Sequence, residues 1–282
     1  MNKFLLIICL VIISCNRENS NYEINSESKI VVEGSIEIGD VSRVILSRSV
    51  PTNTVITKSN ALNYVIRAAK ITVNDGQNEE VLSLTSNREG IVPPYVYIGK
   101  DIIGQEGKTY SLKIEYLNRT LTAITKIPPS VSIQSVAFER ENSSDIIGYA
   151  RINFIDPTNQ KNYYQISTKE VKKDSIFIPA FYGNLNDSNF ESSAISLRIN
   201  KGLRVFPESN FEPYFSNNTS VFIKLRTMEK DAFEFWNSWQ NEIVNGQNPI
   251  FPSSTSLKSN IKGGIGIWAG YGQNTLLLKT NL

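Results

Sequence analysis

Apolar and polar residues alternate in short runs along most of this chain, and in only one place do they recur at helical spacing. Residues 30–38 (IVVEGSIEI), 41–50 (VSRVILSRSV) and 64–74 (YVIRAAKITVN) each read as a strand. Gly39-Asp40 turns the first into the second. Asp75-Gly76 is a strong hairpin signal after the third, with residues 80–84 pairing back across it. Residues 107–116 place Tyr110, Leu112, Ile114 and Tyr116 on one face, and Asn118-Arg119 turns that run into residues 120–127. Strands of this length and spacing predict a β-sandwich of about 100 residues, the size of an immunoglobulin-like or transthyretin-like module.

Pro128-Pro129 interrupts the pattern and marks an expected domain boundary. A second series of strands follows over residues 131–139, 147–155, 163–171, 175–181, 194–199 and 219–226, with Asp156-Pro157 as a turn. Met228, Ala232, Phe235, Trp236, Trp239 and Ile243 then share one helical face. Thr227 is placed to cap that helix, Glu229 and Asp231 suit its positive end, and Gly246 can end it. Two Trp on such a face read as core. The tail, residues 259–272 (SNIKGGIGIWAGYG), lacks the Gly-Lys-Ser/Thr of a phosphate loop. It reads as a strand whose glycines permit close packing or a bulge, before a last strand at 274–279. The expected fold is all-β with one packed helix: a β-sandwich over 30–127, then a second, larger β domain over 128–282 with its helix near 228–244.

Composition narrows the chemistry. The 282 residues include two Cys and no His. That excludes imidazole bases, Ser-His-Asp and Cys-His nucleophile pairs, and histidine-ligated metals, and two Cys cannot build a four-Cys zinc site. A net charge of +2 with interspersed signs gives no electrostatic footprint for nucleic acid.

The N-terminus carries a separate signal. Lys3 precedes an apolar run over residues 4–13, too short to span a bilayer of ~30 Å. The run ends Ile12-Ile13-Ser14-Cys15, which resembles a bacterial lipobox. Cys9 would leave with the signal peptide (residues 1–15 up to the modified Cys), and Cys15 would carry the lipid. Residues 16–29 read as a polar, flexible tether. Several acyl chains at ~0.8 kcal/mol per buried CH₂ make such an anchor permanent. Arg17-Glu18 only approximates the acidic export signal that follows lipidated Cys in surface lipoproteins, so the cell surface is the expected side and the periplasmic leaflet the alternative.

Ordered along the chain are IVVEG at residues 30–34, Gly107-Lys108-Thr109-Tyr110, Ile127-Pro128-Pro129, Phe154-Ile155-Asp156-Pro157 followed by Asn162-Tyr163-Tyr164, and the SNIKGGIGI of residues 259–267. Together, behind Cys15, they resemble the Bacteroidota lipoproteins grouped as domain of unknown function 4249. The resemblance implies an accessory lipoprotein of an outer-membrane β-barrel complex, such as a TonB-dependent receptor. It supplies no catalytic residues.

Three functions follow as expectations. The first is a non-enzymatic, lipid-anchored subunit that binds a β-barrel partner or its cargo, without cofactor or metal. The second is a surface glycan-binding or adhesive module, with Trp268, Tyr271, Tyr95 and Tyr97 as ligand-contact candidates. The third is a hydrolase using two carboxylates, drawn from Glu33, Asp75, Asp101, Asp156 and Glu191. Loop acids such as Asp145 or Asp187 could serve calcium, although no Asp-x-Asp-x-Asp spacing supports it.

Overall fold

The computed structural model describes residues 28–50, 54–57, 60–86, 95–142, 145–158, 160–190, 192–202, 212–245 and 257–281. Cys15, the tether up to residue 27, Pro93-Pro94, Glu191 and Gly246 lie outside the described residues.

The first half contributes β1 (Ile30–Glu37), β2 (Val41–Arg48), β3 (Lys70–Asn74), β4 (Glu79–Val81), β5 (Ser83–Ser86), β6 (Tyr95–Ile103), β7 (Thr109–Tyr116) and β8 (Arg119–Lys126). The second contributes β9 (Ile133–Glu139), β10 (Ile147–Ile155), β11 (Tyr163–Glu170), β12 (Ile178–Asn186), β13 (Ala194–Ile199), β14 (Phe215–Ser216) and β15 (Ser220–Met228). The helix α1 (Lys230–Asn245) and the last strand β16 (Ile265–Lys279) complete it. The fold is all-β with one helix, as the alternation predicts. The two tail strands expected separately are one continuous strand.

That strand, β16, determines the architecture. From Val31↔Ile265 to Glu37↔Tyr271 it runs parallel to β1. From Met228↔Tyr271 to Ser220↔Lys279 it runs antiparallel to β15. An eight-stranded sheet results, ordered β12-β11-β15-β16-β1-β2-β6-β5. One end is faced by β4-β3-β7-β8, the other by β13-β10-β14 with β9 alongside β10. Two sandwiches therefore share one sheet. The expected boundary after Ile127 does not describe the first sandwich, because Ile261 and Trp268 lie in its core.

Both faces of β16 are covered near the crossing, which explains its sequence. Trp268 is fully buried in the first core, and its indole N–H donates to the Tyr110 carbonyl at 3.1 Å. Ile267, Ala269 and Tyr271 face the other way and pack with Met228, Ala232, Phe235 and Trp236 of the helix layer. Such burial stabilises by roughly 2–3 kcal/mol per large ring. Asn260 lies along β16, accepting from the Trp268 N–H at 2.9 Å and donating to its carbonyl at 2.7 Å. Gly270 and Gly272 alternate with the apolar residues because the chain leaving β8 crosses directly over them, whereas Gly266, at φ +122°, lies against the Val32 backbone of β1. A Cβ on Gly270 would sit 2.6 Å from the Lys126 carbonyl oxygen, and one on Gly34, opposite Trp268, would sit 2.8 Å from the indole ring.

Some sequence expectations shift. Thr227 lies in β15, and its hydroxyl donates to the Pro129 carbonyl at 2.7 Å instead of capping α1. Glu229, expected to serve the helix dipole, accepts from the Lys126 N–H at 2.9 Å. Residues 80–84 form two strands in different sheets, β4 on β3 and β5 on β6.

Gly270→Ala is expected to lower the denaturant midpoint by the equivalent of about 2–3 kcal/mol, since the obstructing atom is backbone and has no rotamer to yield. An unchanged midpoint in a urea titration would show that the crossover can move aside.

Candidate functional site

Two polar clusters stand out against the apolar cores. The first lies where the sandwiches meet. Glu37, at the end of β1, pairs with Arg226 and, at 2.7 Å, with Lys224, both on β15. Arg226 also donates to the Gln165 side chain at 3.2 Å, and its guanidinium lies 4.7 Å from the centre of the Tyr271 ring. The Tyr271 hydroxyl in turn accepts from the Trp236 indole at 2.7 Å. Lys224 sits 4.2 Å from the Phe177 ring. Burial works against the Glu37 carboxylate, but Arg226 and Lys224 outweigh it and hold its pKa at about 2. Burial and the neighbouring Arg226 lower the Lys224 ammonium despite Glu37. One β1 carboxylate is shared by two β15 cations, so this cluster reads as a clamp between sandwiches.

The second cluster lines a pocket of about 280 Å³ at the end of the second sandwich that faces the crossing. Its walls are Asp156, Thr158, Gln160, Asp187, Ser188, Phe190, Ser192 and Ser193. The local sequence explains it. Asp156 follows β10, and its N–H donates to the Ser193 carbonyl at 2.7 Å, joining the entry to β13. Pro157 cannot continue the ladder. The Asn162 amide then gathers the turn, donating to Asp156 Oδ1 at 3.0 Å, the Pro157 carbonyl at 2.7 Å and the Gln160 carbonyl at 3.2 Å. The Asn162 N–H donates to Asp187 Oδ2 at 2.9 Å, and the Asp187 N–H donates back to the Asn162 carbonyl at 3.1 Å. The Tyr164 hydroxyl donates to Asp156 Oδ1. Burial and the Asp156 carboxylate push the Tyr164 phenol well above its ordinary range. The Asp156-Pro157 and Asn162-Tyr163-Tyr164 segments are thus parts of one structure, which their separate appearance in sequence does not reveal. Gln160, Ser188 and Ser192 carry no sequence signal of their own.

The remaining candidates are dispersed. Trp268 is wholly buried, Tyr271 is 1% exposed and Tyr97 3%. Their expected role as ligand contacts is therefore corrected: a stacking platform needs an open ring face. Tyr95 is half-buried with Arg67 5.3 Å from its ring centre. Phe181 and Tyr182 are the adjacent exposed rings, on a bulge of β12, but they meet at 65° and form no flat platform. Of the carboxylates, Glu33 is exposed on β1 and Asp101 on β6. Asp75 pairs with Lys108 at 2.6 Å, which holds its carboxyl well below the usual range. These acids lie on separate elements, and neither Glu33, Asp75 nor Asp101 lines the Asp156 pocket. Asp145 caps its own loop, accepting from the Asn142 N–H at 2.8 Å.

A family model, "Domain of unknown function (DUF4249)", matches residues 17–276, and the chain belongs to that family. No curated protein matches it. Among solved structures it is similar to a two-domain fibronectin type-III segment from chicken tenascin, at 9% identity over 90% of this chain and 100% of that one, with a TM-score of 0.24.

The Glu37 clamp gives a signed pH dependence. Its folded pKa is depressed from an ordinary value of 4.5 to about 2. Its stabilisation is therefore complete above 4.5 and is lost as pH falls from there through 2. Glu37→Gln is expected to cost about 3 kcal/mol at pH 7, with the gap to wild type closing as both proteins are unfolded at pH values descending from 4.5 to 2. A gap that does not vary with pH would overturn this assignment.

Proposed function

We propose that this member of the DUF4249 family is a lipid-anchored outer-membrane lipoprotein that acts by binding, as an accessory subunit of a TonB-dependent receptor or a similar β-barrel complex. The observation that carries this reading is Cys15, which follows a short apolar stretch over residues 4–13 and is the one cysteine left once that stretch is removed. Fourteen mostly polar residues, 16–29, separate it from the first strand. The absence of His from the whole sequence supports binding over catalysis, since the commonest general base is missing. So does the use of Asp75 and Asp156 as turn and loop ties, where each carboxylate is engaged by neighbouring donors. The cell surface is the proposed side of the membrane.

Metabolic labelling with an alkyne fatty acid is expected to mark the wild-type protein and to place it in the outer-membrane fraction, while Cys15→Ala takes up no label and leaves that fraction. Label retained on Cys15→Ala would end the anchoring reading. Affinity purification from detergent-solubilised outer membranes is expected to recover a β-barrel receptor in fixed ratio; recovery of the lipoprotein alone would end the accessory reading while leaving the anchor standing.

A further inference from the structure

Three parts of the first sandwich end on the side from which the chain leaves toward its N-terminus. β1 begins there, with the Ser28 hydroxyl donating to the Ser49 carbonyl and the Lys29 N–H to the Ser49 hydroxyl, each at 2.9 Å. The β7–β8 hairpin turns there through Leu117 and Asn118. Arg48 ties it down by donating to the Tyr116 hydroxyl at 2.6 Å, and Arg119 by donating to the Ser28 carbonyl at 3.1 Å. The loop from β2 to β3 closes there too, with the Ile66 N–H on the Leu46 carbonyl at 2.9 Å.

Aliphatic side chains occupy the tips at this end. Leu117 is 82% exposed, Val55 76% and Leu62 47%. Leu117 also holds φ at +52°, in the left-handed region that an aliphatic residue enters only at a cost in stability. Ile124, midway along β8, and Ile146, before β10, are similarly open, and scattered apolar side chains need no account. At the end near Ser28 they coincide with a pattern of charge. From residue 41 to residue 74 the sequence has no Asp or Glu. Lys29, Arg48 and Arg67 are exposed here. Glu115, two residues before Leu117, is engaged by Lys113 at 3.0 Å and Lys70 at 4.0 Å.

From this arrangement we infer that the end of the first sandwich at Leu117 rests on a lipid surface. Leu117, Val55 and Leu62 enter the boundary between headgroups and acyl chains, and Lys29, Arg48 and Arg67 face anionic headgroups. On the anchoring reading above, on which this placement rests, residues 16–27 would span only about 20 Å as a coil between Cys15 and Ser28. The surface around Ser28 is then the part of the body held nearest the bilayer. Interfacial binding grows with the apolar area buried and with attraction to anionic lipid. Three aliphatic side chains give weak contact from solution. Beside an acyl anchor the same contact becomes intramolecular, so its effect is orientation and not attachment. An apolar residue at a strained, open turn costs the fold stability, and contact with lipid gives that cost a return in binding.

The test adds the full lipidated chain to preformed vesicles of phosphatidylethanolamine and phosphatidylglycerol that carry a nitroxide-labelled phospholipid. With Cys9 removed and Cys15 acylated, Asn118→Cys or Lys279→Cys supplies the single thiol open to an environment-sensitive dye. The dye at position 118 is expected to shift to the blue on vesicle binding and to be quenched about twofold by the nitroxide. At position 279, the far end of β16, it is expected to do neither. Adding Leu117→Asn to Asn118→Cys is expected to weaken the quenching with the melting temperature equal or higher, since Asn accepts φ +52° more readily than Leu. Exchanging phosphatidylglycerol for phosphatidylcholine is expected to weaken it as well. Vesicle-bound protein quenched no more at 118 than at 279 overturns the placement and leaves the anchor standing. Quenching at 118 that Leu117→Asn does not diminish also overturns it. Dye taken up by the chain without an added thiol marks an unacylated Cys15 and ends the anchoring reading, while quenching at 118 above that background still upholds the surface. Protein that does not float with the vesicles overturns both.

Discussion

Everything in this fold depends on one strand changing partners at one residue. Up to Tyr271, β16 is held by β1; from Tyr271 onward it is held by β15. A strand can serve two sandwiches only if it is buried on both faces where it crosses. The sequence meets that demand by alternation, with glycines or Trp268 on the side of the first core and Ile267, Ala269 and Tyr271 on the side of the helix. A one-residue slip would invert the two sets. It would drive Tyr271 into the crossover at Lys126 and Pro128 and leave glycines against the helix. The register is thus fixed by size as much as by polarity.

Tyr271 also joins the electrostatics to the packing. Its ring lies beneath Arg226, its hydroxyl holds Trp236 of α1, and its strand partner Glu37 clamps Arg226 and Lys224. β1, β16, β15 and α1 therefore meet in one set of interactions. Burying three charges is costly, and apolar residues of equal volume would often be as stable. What the charges add is direction: a carboxylate on β1 can be satisfied only when the cations of β15 are brought to the same face of the shared sheet.

Most strands were legible from alternation, because a half-buried strand writes its two faces directly into the sequence. The fold class and the helical face of Trp236 and Trp239 followed the same logic. β6 was not legible. Its run, YVYIGKDII, is broken at Gly99, and the register against β2 shifts there. The break is stabilised from a distance in sequence: Glu80 Oε2 accepts from the N–H groups of Lys100, Asp101 and Ile102 at 3.2, 2.7 and 3.2 Å. A Cβ on residue 99 would strike that carboxylate. Local propensity cannot see such a tie. The Asp156 pocket was illegible for the same reason: its walls come from stretches spanning 156–193, and only Asp156 and Asp187 carry a residue type that invites attention. Trp268 and Tyr271 misled in the opposite direction, since an aromatic beside glycines looks the same whether a ligand or the protein's own backbone covers it.

The shared strand also sets a distance that bears on the proposed binding role. Ile30 begins beside Ile265, at the start of β16, and the fifteen residues of β16 extend about 46 Å from there at ~3.3 Å per residue. On the proposed attachment at Cys15, the twelve residues 16–27 would span only about 20 Å root-mean-square as a random coil, because Ser28 and Lys29 are already hydrogen-bonded to Ser49. The Lys279 end of β16, where Phe222 and Leu277 pair across the sheet and remain 37% and 44% exposed, then lies at the opposite end of the strand from the proposed attachment. A two-module body built on independent sandwiches would hinge at Pro128 and lose that separation. Because the last strand returns through the first sandwich before entering the second, bending there would require breaking the ladder at Tyr271, the Glu37 clamp and the helix contact together. The arrangement holds the two ends of the shared strand at a fixed separation, which is the mechanical requirement of the proposed role, in which one end is tethered and the other meets a partner.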